Sequence, residues 1–104
     1  YRFRLHSKQL PGKPDIVFNP RKKVIFMHGC FWHRHEACRY ASVPKTNVDF
    51  WNAKFEQNVM RDAHVQREIK KMGWNSLIVW ECEIRNVDNL LAKLRTFLDG
   101  EKIF

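Results

Sequence analysis

The residues best equipped for chemistry crowd into one stretch. From Met27 to Cys38 the chain reads Met-His-Gly-Cys-Phe-Trp-His-Arg-His-Glu-Ala-Cys, which holds three histidines, two of the three cysteines and two large aromatics. Cys30-x4-His35-x2-Cys38, with Cys82 far downstream, offers thiolate and imidazole, the donors from which closed tetrahedral zinc sites are built. Three cysteines cannot all pair within one chain. The first residues carry no apolar leader, so the chain is expected to stay in a reducing cytoplasm, where metal ligation is the better use for thiols. Spacing alone leaves the imidazole open, because His28, His33 and His35 all lie within reach of the cysteines.

A second chemistry needs oxygen. Hydrolysis of a phosphodiester usually calls for a hard divalent cation held by carboxylate or carbonyl groups. Asp15 follows Pro14 and opens an apolar run, so its side chain can leave the sheet while its backbone stays fixed. Phe26-Met27-His28 ends a neighbouring run and brings a backbone carbonyl and an imidazole toward Asp15, with His33 close behind. A cation-holding carboxylate beside proton-transferring imidazoles suits a nuclease centre. His6 and His64 fall outside this group and are expected at the surface.

The aromatics suggest what such a centre would meet. Phe31 and Trp32 are adjacent and cannot both face one small core, so at least one is expected to reach solvent, and Phe50-Trp51 adds two more at a helix start. Lys and Arg number 19 against 11 Asp and Glu, a formal net charge of +8 that favours a polyanionic partner. In a basic protein an exposed apolar wedge beside a catalytic cluster suits insertion between base steps, which a mismatched step permits more cheaply.

The elements that must position these residues follow from periodicity. Residues 1–5 alternate with period two, and 15–18, 23–27 and 76–80 are apolar runs bounded by turn residues, giving four strands. The Leu10 to Pro14 segment makes the first turn, and Asn19 to Lys22 a hairpin-like connection. Thr46 and Asp49 suggest a capping box, and Phe55, Val59, Ala63, Val65, Ile69 and Met72 suggest one long helix or two abutting ones ending at Gly73. Val87, Leu90, Leu91, Leu94, Phe97 and Leu98 stripe a final helix between Asn86 and Gly100. The expected class is α/β, a mixed sheet of about four strands flanked by helices in the order βββ-loop-α-β-α. At 104 residues a single domain spanning 1–104 is expected. The longest clean apolar run, Leu77 to Trp80, is too short to cross a membrane.

Taken together, Leu-Pro-Gly-Lys-Pro-Asp at 10–15, Val-Ile-Phe-Met-His-Gly-Cys-Phe-Trp-His at 24–33, Phe50-Trp51, Asn58-Val59-x-Arg61-Asp62, and Gly73-Trp74 with Leu77 to Cys82 resemble the very-short-patch mismatch repair (Vsr) endonucleases. The resemblance runs over nearly the whole chain. It implies a restriction-endonuclease-like core in which Phe26-x-His28 replaces the usual Glu-x-Lys, and a magnesium-dependent enzyme that nicks double-stranded DNA 5′ to the thymine of a T:G mismatch. By that resemblance Asp15 and the Met27 carbonyl would hold Mg²⁺, His33 would activate water with help from His28, and Cys30, His35, Cys38 and Cys82 would bind structural Zn²⁺. Phe31, Trp32 and Trp51 would wedge into the mismatch. A monomer working in the bacterial nucleoid with mismatch-repair proteins is implied. Three departures stand out: Met27 occupies a common threonine position, Glu36-Ala37 adds one residue to the His–Cys spacing, and the helical arm that precedes the first strand in the family is expected to be absent. The alternative is a zinc-stabilised DNA-binding module that keeps the wedge and lacks hydrolysis.

Overall fold

The computed structural model describes residues 2–99. Strands β1 (Arg4–Leu5), β2 (Ile16–Phe18), β3 (Lys23–His28) and β4 (Asn75–Trp80) form one sheet in that spatial order, with helix α1 (Val48–Lys71) between β3 and β4 and helix α2 (Val87–Asp99) at the end. Pairings β1/β2 and β2/β3 are antiparallel, whereas β3 and β4 run parallel from Lys23↔Asn75 to His28↔Trp80. A parallel neighbour needs a long crossover, and α1 provides it. The mixed α/β sheet and the order βββ-loop-α-β-α are those expected, and they fit a restriction-endonuclease-like core.

Alternation along the strands splits the core into two layers. Val17, Val24 and Phe26 face α1 and pack with Ile69, Val65 and Ile78, while Phe18, Ile25 and Val79 face α2 and pack with Leu90, Leu94, Phe97 and Leu98. The period-two geometry puts His28 and Trp80 on the α1 side, beyond the last apolar layer. The ammonium of buried Lys23 donates to the carbonyls of Phe97 and Leu98 and so caps the negative end of α2.

Several local expectations give way. The first strand is Arg4–Leu5 and not residues 1–5; Tyr1 lies outside the described residues, as does Gly100 at the other end. Helix α1 has Asn47 as its cap residue, in a left-handed conformation with no side-chain cap bond, so the Thr46 capping box does not form. Asn tolerates that conformation, and its carbonyl accepts from the Trp51 amide to close the first turn. The helix runs unbroken over 24 residues, and Gly73 at φ 79° ends it while donating to Lys70.

The inward stripe of α1 is also shifted. Val59 is 46% exposed, and Ala63 and Met72 are exposed too, whereas Phe55, Asn58, Asp62, Val65 and Ile69 turn inward. Two polar residues, Asn58 and Asp62, therefore turn inward in place of the expected Val59 and Ala63, because the layer they meet is the histidine-rich loop and not the sheet. On α2, Val87 and Leu91 lie outside the buried face.

Candidate active site and metal centre

The loop between β3 and α1 winds into tight turns, with the His33 amide donating to Gly29 and the His35 amide to Cys30. These turns throw successive side chains in opposite directions and separate the histidines. His35 goes to the cysteines; His28 and His33 go to α1.

Cys30, His35, Cys38 and Cys82 bring one donor atom each within 4.8 Å of one another. Two ligands at about 2.3 Å (sulfur) and 2.0 Å (nitrogen) from a tetrahedral zinc stand roughly 3.6 Å apart. His35 Nδ1 lies 3.6 Å from Cys30 Sγ and 3.5 Å from Cys82 Sγ, the separations such an ion requires of these pairs. The His35 ring stacks on Trp80 at 4.1 Å and 7°, which fixes the direction of its lone pair. Burial, reinforced by hydrogen bonds and like charge from Cys30 and Cys38, pushes the Cys82 thiol up to about 11. Burial also acts to raise Cys38, but hydrogen bonds from the Tyr40 backbone and the other two thiols outweigh it and hold Cys38 below its usual value. A divalent ion held by these sulfurs would favour the thiolate form of all three. The short 3-10 turn Glu81–Arg85 that carries Cys82 between β4 and α2 is anchored by Glu83, which accepts from the Trp80 amide at 2.9 Å and pairs with Lys93 of α2 at 2.8 Å.

Asp15 stands directly before β2 at the sheet rim. Its backbone continues the ladder, donating to Ile25 and accepting from His6, while Oδ2 accepts the Met27 amide at 2.7 Å. In an extended strand the N–H and C=O of one residue lie along the same edge, so the Met27 carbonyl faces the Asp15 side as well. Oδ1 is 3.9 Å from His6 Nδ1 in the partly exposed part of the group. One anchored carboxylate with a free oxygen beside a strand-end carbonyl fits magnesium, which keeps most of its water and needs few protein ligands. His6, expected apart from this group, is thus its exposed neighbour.

At the same end of β3, close enough for Asp15 to act on His28, the rings of His28 and His33 stack at 3.9 Å and 12°. His33 Nδ1 is 2.6 Å from Asp62 Oδ2 of α1, a short charge-assisted contact. His28 is pushed below its usual 6.5 by burial first and by His33 second, against the raising fields of Asp62 and Asp15. Asp62 was visible in the sequence only within a family motif. The signal that could have found it is its place in the stripe 55, 58, 62, 65, 69, where Asn58 likewise turns inward and donates to the Trp32 carbonyl at 3.0 Å.

The expected wedge residues cluster. Phe31 packs against Trp32, Trp51 and Phe55 with centroids 5.3, 5.6 and 5.1 Å away. Trp32 remains 49% exposed and Phe50 63%, while Phe31 and Trp51 are half-buried beneath them. The Arg34 guanidinium gathers the carbonyls of Phe31, Ala41 and Ser42 at 3.2, 3.0 and 3.1 Å and lies 4.1 Å from the Phe55 ring centroid. No helix among the described residues is long and apolar enough to cross a membrane.

Comparison with known proteins converges on one family. The family model described as DNA mismatch endonuclease Vsr matches residues 1–39. The chain is 48% identical over 99 residues to Type II nicking enzyme V.XorIIP of Xanthomonas oryzae pv. oryzae, covering 95% of this chain and 72% of that protein. It is 44% identical over 94 residues to DNA mismatch endonuclease Vsr of Escherichia coli K12, covering 90% of this chain and 60% of that protein. Type II nicking enzyme V.NmeAIP of Neisseria meningitidis is 44% identical over 86 residues, with 83% of this chain and 61% of the relative covered.

Proposed function

This chain belongs to the Vsr family of DNA mismatch endonucleases, and on that premise we propose that it hydrolyses one phosphodiester bond of duplex DNA, 5′ to the thymine of a T:G mismatch. The observation that carries the chemistry is the 2.6 Å contact between His33 Nδ1 and Asp62. With its Nδ1 proton donated to that carboxylate, the ring presents Nε2 as a free lone pair, and Asp62 stabilises the imidazolium that forms when Nε2 takes a proton from water. His28, its pKa held down chiefly by burial, stacks alongside the His33 ring.

Asp15 and the Met27 carbonyl hold the catalytic cation at the rim of the sheet. Magnesium bound there would supply positive charge to the phosphate oxygens as the bond breaks. Cys30, His35, Cys38 and Cys82 hold a structural zinc that ties the loop to the end of β4. Trp32, backed by Phe31 and Trp51, enters the base stack at the mismatch, and Lys and Arg side chains contact phosphates without reading sequence.

The test is a nicking assay with magnesium on T:G duplex, on the other mismatches and on matched DNA. Wild type is expected to nick beside the thymine, and Asp15→Ala to lose at least about a hundredfold in rate while still binding DNA. Specific binding without nicking by wild type would instead identify a DNA-binding module, and equal nicking of matched DNA would remove the mismatch reading.

A further inference from the structure

A second group of donors, apart from the thiolates, is close enough to share one ion. His28, His33 and Asp62 each bring a ligand atom within 4.8 Å of the other two. They line a cavity of about 220 Å³ together with Gln66 and Trp80. His28 is only 7% exposed, and its Nδ1 has no hydrogen-bond partner. Gln66 Nε2 is buried in the same condition. A buried polar atom without a partner calls for an explanation, and an ion with its water supplies one.

We propose that His28, His33 and Asp62 form a second metal site, selective for borderline divalent cations such as Zn²⁺ and Co²⁺, and that filling it stops nicking. Two imidazoles and one carboxylate prefer such ions, whereas magnesium favours an all-oxygen shell like that offered at Asp15. The ion would replace the proton now shared by His33 Nδ1 and Asp62 Oδ2, which stand 2.6 Å apart. Two such ligands on one ion stand roughly 2.9–3.4 Å apart, so the pair must open by a few tenths of an ångström. The stacked rings aim their lone pairs side by side, and one ring must turn about its Cβ–Cγ bond for them to converge. That torsion is soft, and the cavity beside His33 leaves space for the turn.

The inhibition follows from the tautomer. With the ion on Nδ1, the proton displaced from that nitrogen is carried on Nε2, the single N–H of neutral imidazole, so the lone pair needed to accept a proton from water is gone. Gln66 can donate its orphaned Nε2–H to a water on the ion. The inhibitory half rests on the nuclease reading above; the binding half does not.

The experiment starts from protein already carrying one zinc per chain and adds Co²⁺, followed by visible absorption and calorimetry. Wild type is expected to take one further equivalent, giving d–d bands without the near-ultraviolet band of a thiolate ligand. Asp62→Asn and His33→Gln should bind it at least about tenfold more weakly, the scale on which even an outer partner of a ligand matters. Retention of the first zinc and an unchanged circular dichroism spectrum establish that both variants are folded. No second equivalent, affinities within twofold for both variants, or a thiolate band would overturn the site. Nicking that continues unchanged with the site filled would overturn the inhibition. A protein that takes the ion and never nicks would refute the nuclease reading and leave the site standing.

Discussion

Asp62 and His28 are both inward-facing and both shaped by what surrounds the loop. Asp62 has its hydrogen-bond partner in His33, so replacing it with Asn keeps the shape and removes the charge that would favour a proton on His33 Nδ1. Asp62→Asn is expected to lower kcat by about 10²–10⁴-fold with little change in DNA affinity, as measured by single-turnover nicking against equilibrium binding. An equal loss in both would make Asp62 a structural residue. His28 titrates below 6.5 in the folded state because of burial and the neighbouring His33. As pH falls from above 6.5, the unfolded chain takes up a proton at this position that the folded chain refuses, so stability declines until the folded value is passed. His28→Gln should flatten that part of a stability–pH curve from chemical denaturation; an unaltered slope would show that burial of this imidazole does not control it.

At the scale of elements, the segment before β2 and helix α1 set the site between them. Gly12 adopts φ +74°, and a Cβ there would meet Val65 Cγ1 of α1 at 2.4 Å and Phe26 at 3.1 Å. The turn that delivers Asp15 is thus in van der Waals contact with α1, and only glycine permits both the conformation and the approach. Gly12→Ala is expected to cost about 1–3 kcal/mol in urea denaturation and to raise the magnesium needed for half-maximal nicking. Unchanged magnesium dependence in a destabilised variant would separate the turn from the proposed role of Asp15. The helices were legible in outline because their length and terminators are local properties: α1 ends where Gly73 takes φ 79°. Its inward face was not, since the expected stripe ran through Val59, Ala63 and Met72, whereas Asn58 and Asp62 turn inward to meet the loop folded over them.

For the whole molecule, the decisive link is the one joining the loop to the end of β4. His35 and Cys82 are 47 residues apart in sequence, and their ligand atoms lie 3.5 Å from each other. A metal that binds both removes much of the freedom of the loop carrying Trp32 and His33, and its binding free energy adds directly to folding. About one zinc per chain is expected. Its removal with a thiolate-competing chelator should lower the melting temperature, change the fluorescence of Trp80 on release of the stacked His35, and abolish mismatch preference before it abolishes general DNA affinity. Full mismatch discrimination by metal-free protein would sever the clip from recognition.

Composition and short-range pattern alone determined the α/β class, the order of elements, the basic character and the residue types for thiolate, carboxylate and aromatic sites, because these depend on periods of two and of three to four residues and on donor chemistry. Family membership was equally readable, carried by runs such as residues 24–33. Spacing left open which histidine stands by the cysteines and the resemblance implied His35; the tertiary structure places His35 beside Cys30 and Cys82, and it alone decided that His33 meets Asp62. The turns between Gly29 and His35 send neighbouring side chains to opposite sides, and that sorting depends on packing against α1 and β4, elements that lie tens of residues away along the chain.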